Sequence, residues 1–228
     1  MSQQSPLTPE DLAALRAFTT PTVCNAIETF KVRPRGEGFM GPEIKCWFPS
    51  MSPMVGYAAT AIIRASNPPP DPLPVKVTQL WEHVASVPGP RVLVVQDIDD
   101  PHLMGSLWGE VNANIMKALG CIGTVTNGGV RDLDEVERLG FHFFASTLLV
   151  SHAYVQLVAV GGPVRVGGLT VKPGDLLHGD KHGVTQIPLE LARRIPEAVR
   201  QVDQRERRII SYCQSPGFTR EGLRDVFR

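Results

Sequence analysis

A short segment, TNGGVRD at residues 126–132, follows an apolar run and precedes a helix-like one. Ligands usually bind at such positions, where the carboxyl ends of strands meet in α/β sheets. Gly128 and Gly129 would let the backbone turn tightly and approach a small ligand. Arg131 offers a fork that suits a carboxylate, and Asp132 offers oxygen to a hard cation or caps the next helix. The segment predicts either a site for a small acid or a capped helix with an arginine beside it.

A second segment, GSLWGE at residues 105–110, precedes another predicted helix in the same way. Beyond Gly109, the first amides of that helix, at Val111 and Asn112, would lack intrahelical partners and could hold an anion. Glu110 is favoured there by the helix dipole, with or without a role in a site. Neighbouring strand-to-helix turns would bring this helix start close to the arginine and aspartate of the first segment.

The last long helical stretch carries an acid within an apolar stripe. Val199, Val202, Glu206 and Ile209 recur at helical spacing, so Glu206 would lie on the face that packs. Buried acids are usually paired or functional. We expect Glu206 either to serve a site, with Asp203 as a second candidate, or to pair with an arginine.

Two histidines, His178 and His182, are four residues apart, as in a helical zinc pair. The surrounding turn residues predict short strands instead, where alternation would still place both side chains on one face. No third ligand is evident, so zinc binding is the less favoured alternative. Asp175 and Asp180 are expected to fix turns through side-chain-to-backbone bonds.

Alternating strands and helices must position these residues. Thr8 and Thr20 are expected to cap two opening helices, each followed by proline at the first helical position. The next predicted elements are a strand over 55–65, a helix over 77–86, a strand over 91–97, a helix over 108–119, a strand over 122–126, a helix over 132–139 and a strand over 141–145. This order is typical of parallel strands with covering helices.

The character of the chain changes after residue 161. Residues 163–188 are broken at Gly-Gly, Pro-Gly-Asp and Lys-His-Gly, which predicts short antiparallel strands with tight turns. From residue 188 the chain is predicted to be helical, with a break near Pro196. We expect a catalytic domain over residues 1–188 and a helical extension over 189–228, packed on that domain or on a neighbouring subunit.

Composition excludes several classes of protein. The 228 residues contain 23 Lys and Arg and 23 Asp and Glu, and a dedicated nucleic-acid binder would show a basic surplus. With 43% hydrophobic and 20% charged residues, the chain is neither disordered nor collagen-like. A chain of this length can bury a core without disulfides or a structural metal.

A cytoplasmic location is expected from the absence of targeting signals and from the cysteines. The first fifteen residues lack the pattern of a signal peptide. The long uncharged run at 141–162 contains histidine, serine and glutamine, so we expect no membrane span. The cysteines (Cys24, Cys46, Cys121 and Cys213) form no CxxC pair, which is typical of buried thiols in a reducing compartment.

Four stretches resemble the RraA-like family, which includes divalent-metal-dependent 4-hydroxy-4-methyl-2-oxoglutarate aldolases. The most specific is GEVNANIMKALGCIGTVTNGGVRD, which joins the two segments above, and PVRVGGLTVKPGDLLHGDKHGVTQIP is similar to a later signature of the family. TPTVCNA at 20–26 and GYAATA at 56–61 match earlier landmarks in the right order. The resemblance covers about residues 20–188.

The resemblance implies a fold and an assembly. The fold is an α/β, α-β-β-α sandwich related to swivelling phosphohistidine domains, with mixed sheets and a helical C-terminal tail. Members assemble as homotrimers or homohexamers, with the active site in a cleft between subunits. No nucleic acid or membrane partner is expected.

The resemblance also implies roles for individual residues. Asp132 would bind Mg²⁺ or Mn²⁺ directly, and Glu110 would reach the metal through water. Arg131 would bind the carboxylate of a 2-oxo acid substrate. The amides of the helix start, in the stretch Gly109, Val111 and Asn112, would assist it. Glu206 is the candidate for an acid that a neighbouring subunit contributes to proton transfer.

The predicted reaction is carbon–carbon lysis through a pyruvate enolate, by retro-aldol cleavage of a 4-hydroxy-2-oxo acid, by decarboxylation of oxaloacetate, or by both. A divalent cation stabilises such developing charge. A metal-bound water is the expected proton acceptor, because the constellation contains no histidine. Asn112, Asn25 and residues 146–156 depart from the aldolase pattern, which leaves the substrate open. The alternative is a non-catalytic protein that inhibits an RNA-degrading endonuclease, as the family's namesake does.

Overall fold

The computed structural model describes residues 7–100 and 104–227. Seven α-helices and ten strands are assigned in this part of the chain. The helices are α1 Pro9–Arg16, α2 Thr20–Thr29, α3 Val77–Ser86, α4 Glu110–Ala118, α5 Leu133–Leu139, α6 Ile195–Cys213 and α7 Arg220–Phe227, and a 3-10 helix, Leu189–Arg194, precedes α6. The strands are β1 Lys45–Cys46, β2 Met54–Arg64, β3 Arg91–Asp97, β4 Cys121–Val130, β5 His142–Leu148, β6 Gln156–Val160, β7 Val164–Val166, β8 Leu169–Val171, β9 Leu176–Asp180 and β10 Gly183–Ile187.

One mixed sheet of eight strands organises the fold. Its order is β1-β5-β4-β3-β2-β9-β10, and β6 pairs with the second half of β2. Strands β2, β3, β4 and β5 are parallel, whereas β1, β6, β9 and β10 join antiparallel. The predicted alternation of strands and helices corresponds to β3-α4-β4-α5-β5, so the carboxyl ends of β3, β4 and β5 meet at one edge.

Hydrophobic residues are buried on both faces of this sheet, as expected for parallel strands covered on each side. In β3, Leu93 and Val95 face the core beneath the helices, while Val92 and Val94 face a second core. The hairpin β7–β8 covers the second core with Val164, Val166, Leu169 and Val171. The sheet is therefore held from both sides, and its edge at the strand ends is a rigid base for a site.

A threonine caps each of the first two helices, as predicted. In the second helix the cap lies one residue before the predicted position. Thr8 Oγ1 accepts a hydrogen bond from the Asp11 amide at 3.2 Å. In α2 the cap is Thr19, whose Oγ1 accepts from the Thr22 amide at 3.4 Å. Thr20 is the first helical residue instead, and its polar atoms contact strand β9.

Two strands differ from the sequence-based expectation. β4 continues to Val130, through the glycines predicted to form a turn, because Gly129 and Val130 pair with Thr147 and Leu148 of β5. The uncharged run at 141–162 contains the unpredicted strand β6, which pairs with β2. No helix in residues 7–100 and 104–227 is both long and apolar enough to cross a bilayer.

The cysteines are less buried than predicted. Cys121 alone is buried, Cys24 and Cys46 are half-buried, and Cys213 is exposed on α6. Burial raises the pKa of the Cys121 thiol to about 12, so this thiol is inert at neutral pH.

The C-terminal extension begins within the main core. Leu191, Ile195 and Val199 are buried in the core beneath the helices. The described part of α7, by contrast, buries no residue. The boundary predicted at residues 188 and 189, and the surface that α7 packs on in an assembly, stay predictions.

Candidate active site

Three segments lie side by side where β4 ends. Trp108 forms a parallel bridge with Val130, and the Arg131 amide donates to the Trp108 carbonyl at 3.1 Å. On the other side, the Leu149 amide donates to the Val130 carbonyl at 3.0 Å. These contacts extend the sheet by three short segments: the one before α4, the one before α5 and the one after β5. Adjacent strand-to-helix turns come together, as the sequence predicts.

Asp132 adopts a left-handed backbone conformation, with φ 60° and ψ 48°, just before α5. Its side chain does not cap α5. Instead, Oδ2 accepts a hydrogen bond from the Glu110 amide of α4 at 2.9 Å. Oδ1 has no hydrogen-bond partner within the described segments. Asp132 thus caps a different helix from the one predicted, and this leaves one carboxylate oxygen available.

Gly109 leaves space beside its backbone that the side chains of Arg131 and Asp132 both approach. A Cβ atom at Gly109 would lie 2.5 Å from Asp132 Oδ2 and 3.2 Å from Arg131 Nε. Its backbone is extended, with φ −158°, so the requirement is for room rather than for glycine's conformational freedom. The Arg131 guanidinium forms no ion pair and no hydrogen bond with any residue in 7–100 or 104–227. A half-buried arginine without a partner is well suited to receive an anionic ligand.

These residues line a pocket of about 190 Å³. We refer to it as the α4–α5 pocket, and the residues that matter for its chemistry are Gly109, Val111, Asn112, Arg131, Asp132 and His152. At the start of α4, the amides of Val111 and Asn112 lie in the first turn and lack intrahelical partners. The positive end of the helix dipole and the Arg131 guanidinium therefore act on the same small space.

Asn112 is fixed by the protein rather than by a ligand. Its Nδ2 donates to the Leu107 carbonyl at 2.6 Å. Val111, next to it, is 72% exposed, which is unusual for an apolar residue beside a pocket.

The two glycines predicted to approach a ligand have another role. Neither Gly128 nor Gly129 lines the α4–α5 pocket. A Cβ at Gly129 would lie 2.4 Å from the Leu149 side chain, and one at Gly128 would lie 3.4 Å from Asp97. Gly129 therefore makes room for the Leu149 side chain within the sheet, whereas a Cβ at Gly128 would be at an ordinary contact distance from Asp97.

Two predicted acids lie outside the pocket within a single chain. The Glu110 carboxylate is exposed and does not line the pocket, although its amide does hold Asp132. Glu206 is exposed on α6, and its Oε1 accepts a 3.5 Å hydrogen bond from Asn25 Nδ2. The burial inferred from its apolar stripe is not observed. Its contribution from a neighbouring subunit stays a prediction, as do the site roles of the other residues.

One histidine of the pocket was not identified as a candidate from the sequence. His152 lies in the loop between β5 and β6, and its exposed side chain lines the α4–α5 pocket with Arg131 and Asp132. The expectation that no histidine lies among the candidate site residues is therefore wrong. No spacing signal could have found it, because hydrogen bonds between distant segments bring the loop to the pocket.

The predicted histidine pair belongs to a separate group, which we call the Asp180 cluster: Thr20, His178, Asp180 and His182. His178 is buried, with Nδ1 3.0 Å from Thr20 Oγ1 and Nε2 3.2 Å from the Leu15 carbonyl. Asp180 accepts from the amides of Thr20 and His182 at 3.0 and 2.9 Å. Both ring nitrogens of His178 are thus already engaged by the protein, which leaves neither free for zinc.

Charge and burial set the ionisation of this cluster. Burial lowers the pKa of His178 and keeps the ring neutral, despite hydrogen bonds that favour its charged form. Burial favours a protonated Asp180, but hydrogen bonds from His182 and Thr20 outweigh it and lower the pKa of the carboxyl. Within the segments that the structure describes, no group of three or more His, Cys, Asp or Glu side chains is arranged to hold a metal ion.

Comparison with known proteins now identifies the family. The family model described as RraA-like, Aldolase/RraA, matches residues 20–185. The chain belongs to the RraA-like family. The RraA-like mixed α/β fold expected from the sequence is confirmed.

Curated relatives of this RraA-like chain match over part of their length. An uncharacterised protein of Methanocaldococcus jannaschii is 28% identical over 120 residues, which cover 52% of this chain and 58% of the relative. A protein of Halalkalibacterium halodurans named "Putative 4-hydroxy-4-methyl-2-oxoglutarate aldolase" is 33% identical over 84 residues, or 36% of this chain and 40% of the relative. The matches thus span about half the length of these relatives.

Solved structures share the whole fold. An uncharacterised protein from Pseudomonas syringae pv. tomato superposes with a TM-score of 0.71 at 27% identity, covering 96% of this chain and 99% of the other. A Streptomyces coelicolor protein, described as an unusual member of the RNase ES inhibitor RraA protein family, gives a TM-score of 0.67 at 22% identity over 90% and 98% of the two chains. The second likeness shows the fold alone.

Proposed function

We propose that this RraA-like protein is a divalent-metal-dependent lyase that cleaves a 2-oxo acid through a pyruvate enolate. The substrate is a 4-hydroxy-2-oxo acid, oxaloacetate, or both. One observation carries the proposal: an Arg131 guanidinium without a protein partner shares a small pocket with the Asp132 carboxylate and a free helix start. A protein that only binds a partner has no need of this combination.

The residues present fit a hard divalent cation. Mg²⁺ is usually bound through one or two carboxylates and keeps several waters. Asp132 offers Oδ1 in the pocket, and Glu110 follows Gly109 with a carboxylate that has no ion pair among the described residues. When bound, the cation would supply Lewis-acid stabilisation of the negative charge that develops on the substrate oxygens.

The chain's own groups bind and orient the acid. The Arg131 fork matches a carboxylate in geometry and charge. The amides of Val111 and Asn112 add two donors at the positive end of α4. The backbone of Arg131 and these amides belong to hydrogen-bonded segments, so the main chain needs little reorganisation to hold the acid.

An assembly with the site between subunits is part of the proposal. Two exposed apolar side chains lie on segments that line the α4–α5 pocket: Val111 is 72% exposed and Val150, in the same loop as His152, is 97% exposed. Such residues are favoured where another protein surface covers them. We expect a homotrimer or homohexamer, in which Glu206 of a second copy approaches the site.

The experiment measures pyruvate released from oxaloacetate and from 4-hydroxy-4-methyl-2-oxoglutarate, with Mg²⁺ or Mn²⁺ and with EDTA. We expect release that requires the metal and that falls at least about 100-fold in Asp132→Asn. Asp134→Asn is the matched control, because Asp134 is exposed on α5 two residues away.

Metal-independent release, or equal release by both variants, would contradict the proposal. If no pyruvate is released from either substrate with any divalent metal, the alternative function, a non-catalytic regulatory protein, would be favoured. In that case the binding test would use an RNA-degrading endonuclease. The S. coelicolor protein is described as a member of an RNase inhibitor family, which suggests this kind of partner.

A further inference from the structure

The loop between β5 and β6 is anchored to the pocket through its backbone. The Ser106 amide donates to the Ser151 carbonyl at 3.0 Å, and the Tyr154 amide donates to the Ala65 carbonyl at 3.2 Å. A Cβ at Gly105 would lie 2.4 Å from the His152 carbonyl oxygen, so the two segments touch backbone to backbone. The position of His152 is therefore set by the fold rather than by chance exposure.

One ring nitrogen of His152 is committed and the other is free. Nδ1 lies 2.7 Å from the Ala153 carbonyl oxygen. A carbonyl oxygen only accepts hydrogen bonds, so Nδ1 carries a hydrogen, and the lone pair of a neutral ring is on Nε2. Nε2 has no partner within the described segments.

The backbone beside His152 is strained. Ala153 has φ 43°, in the left-handed region that residues with a Cβ rarely adopt. Strain of this kind clusters at functional sites. Here the strained residue is the one whose carbonyl orients the imidazole.

The other polar side chains of the α4–α5 pocket are engaged or unsuited to proton transfer. The Ser106 hydroxyl is buried and donates to the carbonyls of Trp108 and Gly129, both at 2.7 Å. Asp132 holds the Glu110 amide through Oδ2, and its free Oδ1 is the proposed metal ligand. Arg131 does not release its proton in proteins. His152 is the remaining titratable group in the lining.

We infer that His152 is the acid–base residue of this pocket, a role that rests on the proposed lyase function. In retro-aldol cleavage, Nε2 takes the proton of the 4-hydroxyl group, the C3–C4 bond breaks, and its electron pair becomes that of the enolate as C4 becomes a carbonyl. The proton then moves from Nε2 to C3, which completes pyruvate. In decarboxylation, carbon dioxide leaves with no proton removed, and a protonated His152 only delivers the proton to C3.

The experiment isolates the C3 step. Pyruvate is incubated with Mg²⁺ and enzyme in D2O, and loss of the methyl proton signal is followed by NMR. Exchange requires a base to take the C3 proton and return a deuteron. Because acid–base groups contribute roughly 10²–10⁴-fold, His152→Gln should slow exchange by at least about 100-fold. Enzyme-free samples with Mg²⁺ give the background.

A matched histidine serves as the control. His182 is also partly exposed and also has its Nδ1 held, by Asp180 at 3.1 Å, but it lines a different pocket. His182→Gln should exchange pyruvate at the wild-type rate. Free imidazole should restore part of the exchange in His152→Ala, because the position is open to solvent, and a merely structural role would not give this rescue.

A second readout does not depend on turnover. Oxalate, a planar analogue of the enolate, should shift the Nε2 resonance of His152 in the Mg²⁺-loaded protein and leave that of His182 in place. An unchanged Nε2 resonance, or normal exchange in folded His152→Gln, would overturn the inference while leaving the lyase intact. Absence of both exchange and pyruvate release in the wild-type protein would overturn the proposed function and this role together.

Discussion

The α4–α5 pocket and the Asp180 cluster use similar side chains in opposite ways. In the pocket, Arg131 and His152 Nε2 face open space without partners in the described chain. In the cluster, Asp180 and His178 make hydrogen bonds to backbone and side-chain atoms of α1, α2 and the turn between β9 and β10. The two regions thus differ in how far the protein itself satisfies their polar groups, and the proposed function places the ligand where those partners are lacking.

The largest expected effect is on Arg131. Arg131→Ala should lower kcat/KM for oxaloacetate roughly 10²–10³-fold, because the substrate carboxylate loses its charged partner. The melting temperature should stay within about 1–2 °C of wild type, since the guanidinium makes no protein contact that folding requires. Steady-state kinetics and thermal unfolding measure the two.

Arg138→Ala is the matched control for that variant. Arg138 is an exposed arginine on α5 that pairs with Glu135 at 3.5 Å. Its loss should leave kcat/KM unchanged. A large fall in stability for Arg131→Ala would break the contrast between the two regions.

A buried histidine should govern acid sensitivity instead of activity. Burial lowers the pKa of His142 to about 4, below the ~6.5 expected when unfolded. Its contribution to stability is complete above pH 6.5 and is lost as pH falls toward 4, by about 3 kcal/mol in total. His142→Phe, which keeps a ring stacked on Phe144, should lose less stability between pH 7 and pH 4.5.

Urea unfolding of both proteins at the two pH values measures this difference. Equal losses of unfolding free energy in the wild-type and His142→Phe proteins would show that His142 does not control the loss of stability in acid.

Asp180 should affect stability while leaving the site intact. Asp180→Ala leaves the buried Thr20 amide without its acceptor, which costs about 2 kcal/mol of unfolding free energy at pH 7. Because the native pKa of Asp180 is lowered, its contribution is present above about pH 4 and is lost as pH falls further, so the stability difference between the two proteins should shrink in acid. Urea midpoints test this, and a fall in kcat/KM for the folded variant would contradict the separation.

The smallest effect tests the fit around Gly109. Gly109→Ala places a methyl group against the Asp132 carboxylate, whose side chain can move aside at little cost in stability. The displaced carboxylate should lower kcat/KM about tenfold. Gly36→Ala is the control, since nothing lies within 4 Å of its added Cβ. Equal kinetics for both variants would show that the position of Asp132 tolerates displacement.

Much of the framework was predictable from local pattern. The helix over 77–86 and the strand over 91–97 have the predicted bounds, because a proline-rich loop precedes the helix and a short apolar run marks the strand. Strand β4 was predicted to end at Thr126, since Asn-Gly-Gly resembles a turn. Pairing with β5 overrode that local preference, and sequence alone does not display such tertiary pairing.

The candidate site was predictable in part for the same reason. Arg131, Asp132 and the start of α4 lie at adjacent strand-to-helix turns, so topology brings them together. Asp132 was expected to serve its own helix, yet its carboxylate reaches the neighbouring one through a left-handed backbone. His152 was invisible, because its place depends on backbone contacts with residues more than forty positions away.

The anchoring of the β5–β6 loop by main-chain atoms has a consequence for design. Its exposed side chains, Val150, His152 and Tyr154, take little part in holding the loop in place. Sequences could therefore be exchanged there as a cassette, provided that residue 105 stays glycine and the loop length is kept. A library confined to Val150 and Tyr154, with His152 kept, would vary the side chains beside the α4–α5 pocket without redesigning the scaffold.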